Sequence, residues 1–137
     1  MTPSWRVVER GSARPIVERL EIASGYWSRL VGLQLRRRPA PGYGLLLAPC
    51  SSIHTCFMRF TLDVVMLDES GRVIEVRRGV RPWRAVVPRD RTFAILEIPS
   101  EDGATIEAGE SIRLDQADGE SSRLPDRLMG WIWLDDR

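Results

Sequence analysis

The sequence predicts a mainly β chain of the α+β class: a compact antiparallel β-sandwich or partly closed barrel with one short helix packed against it. Two observations point there. After Gly44, short apolar segments recur with Pro, Gly and Ser between them, at the spacing of strands joined by turns. Before Gly44, a single segment carries its apolar residues at helical spacing. With 137 residues and 43% hydrophobic content, there is material for one domain with a real core.

The elements follow in order. Residues 1–14 are polar and rich in Pro, Gly and Ser, and are expected as a loose lead-in that pairs late, as an edge strand. Pro15–Ile22 alternates, with Ile16, Glu18, Leu20 and Ile22 against Val17, Arg19 and Glu21, which predicts a strand with one buried face. Ser24 suits a helix N-cap, and Tyr26, Leu30 and Leu33 then share one face with Trp27 and Val31 beside them, predicting a helix over Ser24–Leu35. Gly32 weakens that helix by roughly 1 kcal/mol relative to Ala. Residues 36–44 are a loop. Strands are expected at Gly44–Ala48, Ser52–Met58, Asp63–Leu67, Arg72–Arg78, Ala85–Val87, Thr92–Ile98 and Ser111–Asp115. Within this series Asp68-Glu69-Ser70-Gly71-Arg72 is the clearest hairpin turn, because Gly71 accepts a positive φ. The domain is expected to span residues 15–117. Residues 118–137 form a C-terminal extension in which Trp131 and Trp133 either pack back on the domain or anchor a partner.

Composition excludes several function classes. Net charge is +1, so no global field draws nucleic acid or an anionic surface. No apolar run reaches the ~20 residues of a membrane span. The N-terminal residues hold no apolar core followed by a cleavage site, and a cytoplasmic location in a bacterium is the expectation. All basic residues are arginine, and a guanidinium fork binds carboxylate or phosphate bidentately.

Chemistry concentrates between Ala48 and Asp68, which hold His54, Cys50, Cys56 and an Arg59/Asp63 pair set between apolar residues. In an unbroken strand Cys50 and Cys56 lie about 20 Å apart, too far for a disulfide or a shared metal. The C-x3-H-x-C spacing matches no four-ligand zinc pattern, and no metal or cofactor is expected. No glycine-rich turn marks either cysteine as a nucleophile. Arg59 and Asp63, four apart, are read either as an ion pair fixing a strand end or as a polar pocket floor with His54 nearby.

These residues also carry a resemblance. The ordered set Arg29-Leu30-Val31-Gly32-Leu33, residues 41–47, Ile53-His54-Thr55, Phe57-Met58-Arg59-Phe60, residues 62–68, Gly71-Arg72-Val73, Arg81-Pro82-Trp83-Arg84, residues 94–99 and Ala108-Gly109-Glu110 resembles the bacterial and archaeal domain of unknown function 192 family, from about Ile16 to Leu114. The resemblance implies a small β domain with a short helix and implies no activity. Pro99-Ser100-Glu101-Asp102 stands where relatives often show Pro-Ala-Gly.

Three functions compete. The first is a non-enzymatic binding domain with its site near Arg29, His54, Arg59 and Asp63 and with Trp83 or Glu97 at the rim. Its ligand is a small polar or anionic molecule, or a peptide terminus. The second is a protein-interaction or self-association module using a sheet edge or the Trp131/Trp133 tail. The third is a hydrolase-like enzyme using His54 and Asp63 as an acid–base pair.

Overall fold

The computed structural model describes residues 5–23, 36–49, 53–55, 58–101 and 105–116. Among these the chain is mainly β. The strands are β1 (Trp5–Glu9), β2 (Pro15–Ala23), β3 (Tyr43–Leu47), β4 (Ile53–His54), β5 (Leu62–Leu67), β6 (Val73–Val80), β7 (Ala85–Val86), β8 (Ala94–Pro99) and β9 (Ile112–Gln116). Seven of them form one sheet in the order β6-β5-β8-β3-β2-β1-β9, and β4 pairs with β7 in a separate two-stranded sheet.

Burial explains the middle of the large sheet. Every position of β3, β5 and β8 is buried. Strands covered on both faces need near-continuous apolar runs, and YGLLL, LDVVML and AILEIP supply them. Asp63 and Glu97 are the charged exceptions.

One face of the sheet carries a core drawn from all seven strands, with Val7, Val17, Leu46, Val65, Val73, Leu96 and Ile112 among its members. Such a core requires the sheet to curl. At one corner its two edges meet: Arg72, just before β6, bridges Ser111, just before β9. Backbone bonds from Val73 N to Glu110 O (2.8 Å) and from Ile112 N to Gly71 O (2.9 Å) complete the seam. The remainder of the two edges stays apart, so the sheet is curled without closing into a barrel. The other face holds a second core of Ala23, Tyr43, Leu45, Leu47, Leu62, Val64, Met66 and Ile95, with Met58 and Val86 against it.

The details depart from the sequence reading at three places. Trp5–Glu9, expected as lead-in or edge, is an interior strand between β2 and β9, held by its buried Trp5, Val7 and Val8. The strict alternation expected over Pro15–Ile22 is broken. A register shift against β1 lets Val17 and Leu20, three apart, enter the same core. And the sheet is mixed, because β2 and β3 run parallel. A parallel return needs a crossover of a dozen or more residues, which residues 24–42 provide. The helix expected over Ser24–Leu35 falls in that crossover and lies outside the described residues, as do Cys50, Cys56 and the C-terminal extension.

The β5–β6 hairpin matches expectation. Gly71 has φ 85°, and Asp68 Oδ1 accepts from Ser70 N (2.8 Å), Ser70 Oγ (2.6 Å) and Arg72 N (3.0 Å). Burial opposes ionisation of Asp68, but these hydrogen bonds prevail and hold its carboxyl below the usual range.

Gly44 marks a close approach of β3 to Val17 of β2 over the curled core. A Cβ there would lie 2.9 Å from Val17 Cγ2 and 3.4 Å from Leu96 Cδ1. Gly44→Ala should therefore destabilise the fold by about 1–3 kcal/mol, read in urea denaturation as a lower midpoint at unchanged slope.

Candidate functional site

Strand pairing builds a polar row across the second face. Glu97 of β8 faces Val64 of β5 on one side and Leu45 of β3 on the other, and Leu45 faces Glu21 of β2. Paired residues point to the same face, so Glu97 and Glu21 lie on one side of the sheet with an apolar side chain between them. Tyr43, two residues from Leu45, joins that face and donates its hydroxyl to Glu21 Oε2 at 2.6 Å. Arg36, from the loop before β3, donates to the same oxygen from Nη1 at 3.0 Å and reaches the Tyr43 hydroxyl at 3.3 Å.

The two carboxyls of this row differ in kind. Burial disfavours the Glu21 anion, but the Arg36 and Tyr43 hydrogen bonds outweigh it and hold Glu21 below its ordinary value. In return, burial and the neighbouring Glu21 charge raise the Tyr43 phenol well above its usual range. Glu97 is 3% exposed and has no hydrogen-bond partner among the described residues. Burial pushes its carboxyl up to about 7, and the attraction of Arg36 only partly opposes this. Glu97 is thus a buried acid that changes charge near neutrality, beside an ion pair whose charges are already matched.

Asp63 sits on the opposite face. It pairs with Ile98, the residue after Glu97, and successive residues of a strand point to opposite sides. Its surroundings are structural. The β5–β6 register slips between Leu62 and Val64, leaving an extra residue on β6, and Gly79 in that bulge has φ 65°. Asp63 Oδ1 accepts from Gly79 N and from Ser100 Oγ, each at 2.9 Å, and Oδ2 lies 3.8 Å from Arg78 Nη1. Arg78 continues to Ile106 O (3.1 Å) and Glu107 (3.0 Å). One buried carboxylate therefore ties together β5, β6, the end of β8 and the segment before β9.

Of the candidate residues from the sequence, the side chains of Arg59, Asp63, Trp83 and Glu97 are described. Among the described residues the cation beside Asp63 is Arg78, whereas the sequence spacing pointed to Arg59. Arg59 lies in a bend ahead of β5, where strand alternation does not apply, and is exposed. Glu97 and Asp63 face opposite ways. The backbone of His54 pairs with Ala85 in the small sheet, while its side chain and all of Arg29 lie outside the described residues. Trp83 is 59% exposed, with φ 65°. Glu21, Arg36, Tyr43 and Arg78 were missed as site residues. The only sequence signal for Glu21, Arg36 and Arg78 was a charged residue in or beside a segment with the pattern of a strand, and Tyr43 gave none. Two surface clefts bordered by described residues, of about 440 Å³ beside Asp68 and Phe93 and about 290 Å³ beside Glu18 and Tyr43, are lined by neither Asp63 nor Glu97. No cluster of metal-binding side chains is present among the described residues.

Comparison with known proteins agrees with this geometry in fold and is silent on chemistry. The model of the domain of unknown function 192 family, described as an uncharacterized ACR, matches residues 7–114. A UPF0127 protein of Thermococcus sibiricus is 37% identical over 87 residues, covering 59% of this chain and 54% of that protein. The chain thus spans about half the length of that relative. A UPF0127 protein of Pyrococcus horikoshii is 34% identical over 86 residues, covering 58% of this chain and 71% of its own length. Two crystal structures share the fold. One is of a protein of unknown function from Novosphingobium aromaticivorans, with TM-score 0.67 and 20% identity over 80% of this chain and 83% of that one. The other is of a putative transcription regulator from Sinorhizobium meliloti, with TM-score 0.68 and 19% identity over 82% and 93%.

Two outcomes follow from the two carboxyls. Asp63→Ala should cost about 2–3 kcal/mol, since hydrogen bonds to a charged acceptor are lost. In double-mutant cycles it should couple to Arg78→Ala and add independently to Arg59→Ala. For Glu97, a folded-state value of about 7 against an ordinary 4.5 means the unfolded chain releases the proton first as pH rises. Its contribution is fully present below the ordinary value and is lost as pH climbs through the folded one. Stability should fall by about 2–3 kcal/mol between pH 5 and 8, with Glu21 ionised throughout, and Glu97→Gln should flatten that fall in urea melts.

Proposed function

This chain belongs to the domain of unknown function 192 family, and on that premise we propose that it is a non-enzymatic binding domain for a small polar ligand, held on the face that carries Glu97. The observation that supports this is the carboxyl itself. A buried polar group without a partner costs about 1–3 kcal/mol, and Glu97 has no hydrogen-bond partner among the described residues, so a ligand that completes it would recover that cost. An apolar residue between Leu45 and Val64 would suit the packing better than glutamate does.

The surroundings narrow the ligand. The fork of Arg36 is held by Glu21, with its Nη1 at 3.0 Å and Nη2 at 3.4 Å, so it is not offered to an external anion. The group left to be satisfied is Glu97, which accepts when ionised and donates when protonated. An amine or amide fits that demand better than the carboxylate expected from the arginine content. The acid–base alternative through His54 and Asp63 gains no support, because both Asp63 oxygens face groups that hold the fold together.

Glu97→Leu should raise stability at pH 8 by about 1–2 kcal/mol, as replacing a strained functional group commonly does. Thermal shift of the wild-type chain against small amines, amides and carboxylates should show a rise in Tm with amines or amides at pH 8. Glu97→Leu should lose that rise. A rise with carboxylates, or one of equal size in Glu97→Leu, would contradict the assignment.

A further inference from the structure

Trp83 and Val87 are the large apolar side chains exposed among the described residues, at 59% and 69%, and they flank β7 in one short loop. Trp83 is held in an unusual way. Its φ of 65° lies in the left-handed region, where a bulky residue rarely sits without a reason. What enforces it is Thr55, which is wholly buried. Thr55 O accepts from Trp83 N at 2.9 Å, Thr55 N donates to Arg84 O at 2.7 Å, Thr55 Oγ1 accepts from Arg84 N at 2.8 Å and donates to Arg81 O at 2.6 Å. The backbone of residues 81–84 is thereby clamped around one buried hydroxyl, and the indole is presented outward from a rigid turn.

Charge, and an edge with no described strand against it, say what would meet it. Arg81 and Arg84, on either side of Trp83, are exposed, and neither has a carboxylate within ion-pairing distance among the described residues. Arg89, by contrast, is 3.6 Å from Glu75. β7 has β4 on one edge, and no described strand lies against the other. Ala85 and Val87 are exposed while Val86 is buried, so alternate residues of this edge face outward. Tryptophan and arginine are the residues that most often dominate binding energy at protein contacts. An anionic lipid surface is read by clusters of about four to eight basic residues, more than this turn supplies.

We propose that the Arg81–Val87 turn docks an acidic peptide segment in extended conformation, laid along β7 with its carboxylates on Arg81 and Arg84 and an apolar or Thr side chain against Trp83. This surface is independent of Glu97 and survives if the ligand assignment there fails.

Fluorescence anisotropy of the full chain with a fluorescein-labelled (Glu-Thr)4 peptide tests it, with (Gln-Thr)4 and (Lys-Thr)4 as controls. The acidic peptide should bind at least about tenfold more tightly than either control, and more weakly as salt rises. Trp83→Gly should weaken binding by about tenfold or more while Tm holds or rises, because glycine takes the positive φ without strain. Arg84→Glu should weaken it similarly with Tm unchanged. Equal binding of the acidic and neutral peptides would overturn the proposal. So would an affinity indifferent to Trp83→Gly, or Trp83-dependent binding to phosphatidylserine vesicles with none to the peptide.

Discussion

Strand β8 is the constraint on which the rest of this structure depends. It lies between β5 and β3, is antiparallel to both, and has no exposed position. Its residues therefore divide between two cores: Ala94, Leu96 and Ile98 enter the curled one and Ile95 the other, with Glu97 on the same face as Ile95. Leu96 and Ile98 anchor the curl that brings the edges together at Arg72 and Ser111. A carboxyl placed in such a strand is largely cut off from water. It must be paired, be neutralised, or stay costly.

The two carboxyls of β5 and β8 resolve that demand in opposite ways. Asp63 is paired. The bulge on β6 turns the Gly79 N–H toward it, Ser100 closes the other side, and Arg78 brings a charge that also fastens the segment before β9. Its charge organises the fold. Glu97 is neutralised in part instead. Leu45 and Val64 flank it, Arg36 is occupied by Glu21, and its protonation equilibrium moves toward neutral pH. Desolvation is thus offset by hydrogen bonds on one face and left standing on the other. That asymmetry separates a structural carboxylate from a candidate ligand group.

The sequence made the β architecture legible because β3, β5, β6 and β8 follow their apolar patterns closely, and Gly71 marks its turn by φ. It hid three things. A bulge in β2 breaks alternation without any glycine or proline to announce it, so Val17 and Leu20 looked as though they belonged to opposite faces. β1 is short and polar enough to pass for a tail, and only its pairing with both β2 and β9 buries it. The partner of Asp63 lies 15 residues away on the neighbouring strand, where a search by local spacing found Arg59. Glu97 itself was visible as a charge in an apolar run, but not which neighbours it would lack. That depends on the register of three strands, which no local pattern encodes.

The central claim is that Glu97 is a buried acid with no hydrogen-bond partner among the described residues. A carbonyl-carbon NMR titration of the wild-type chain, with the resonance assigned through Glu97→Gln, measures this directly. The expected result is a midpoint near 7, about 2–3 units above an exposed glutamate. A midpoint near 4.5 would show the carboxylate to be solvated or paired, and would remove the reason for placing a ligand on this face.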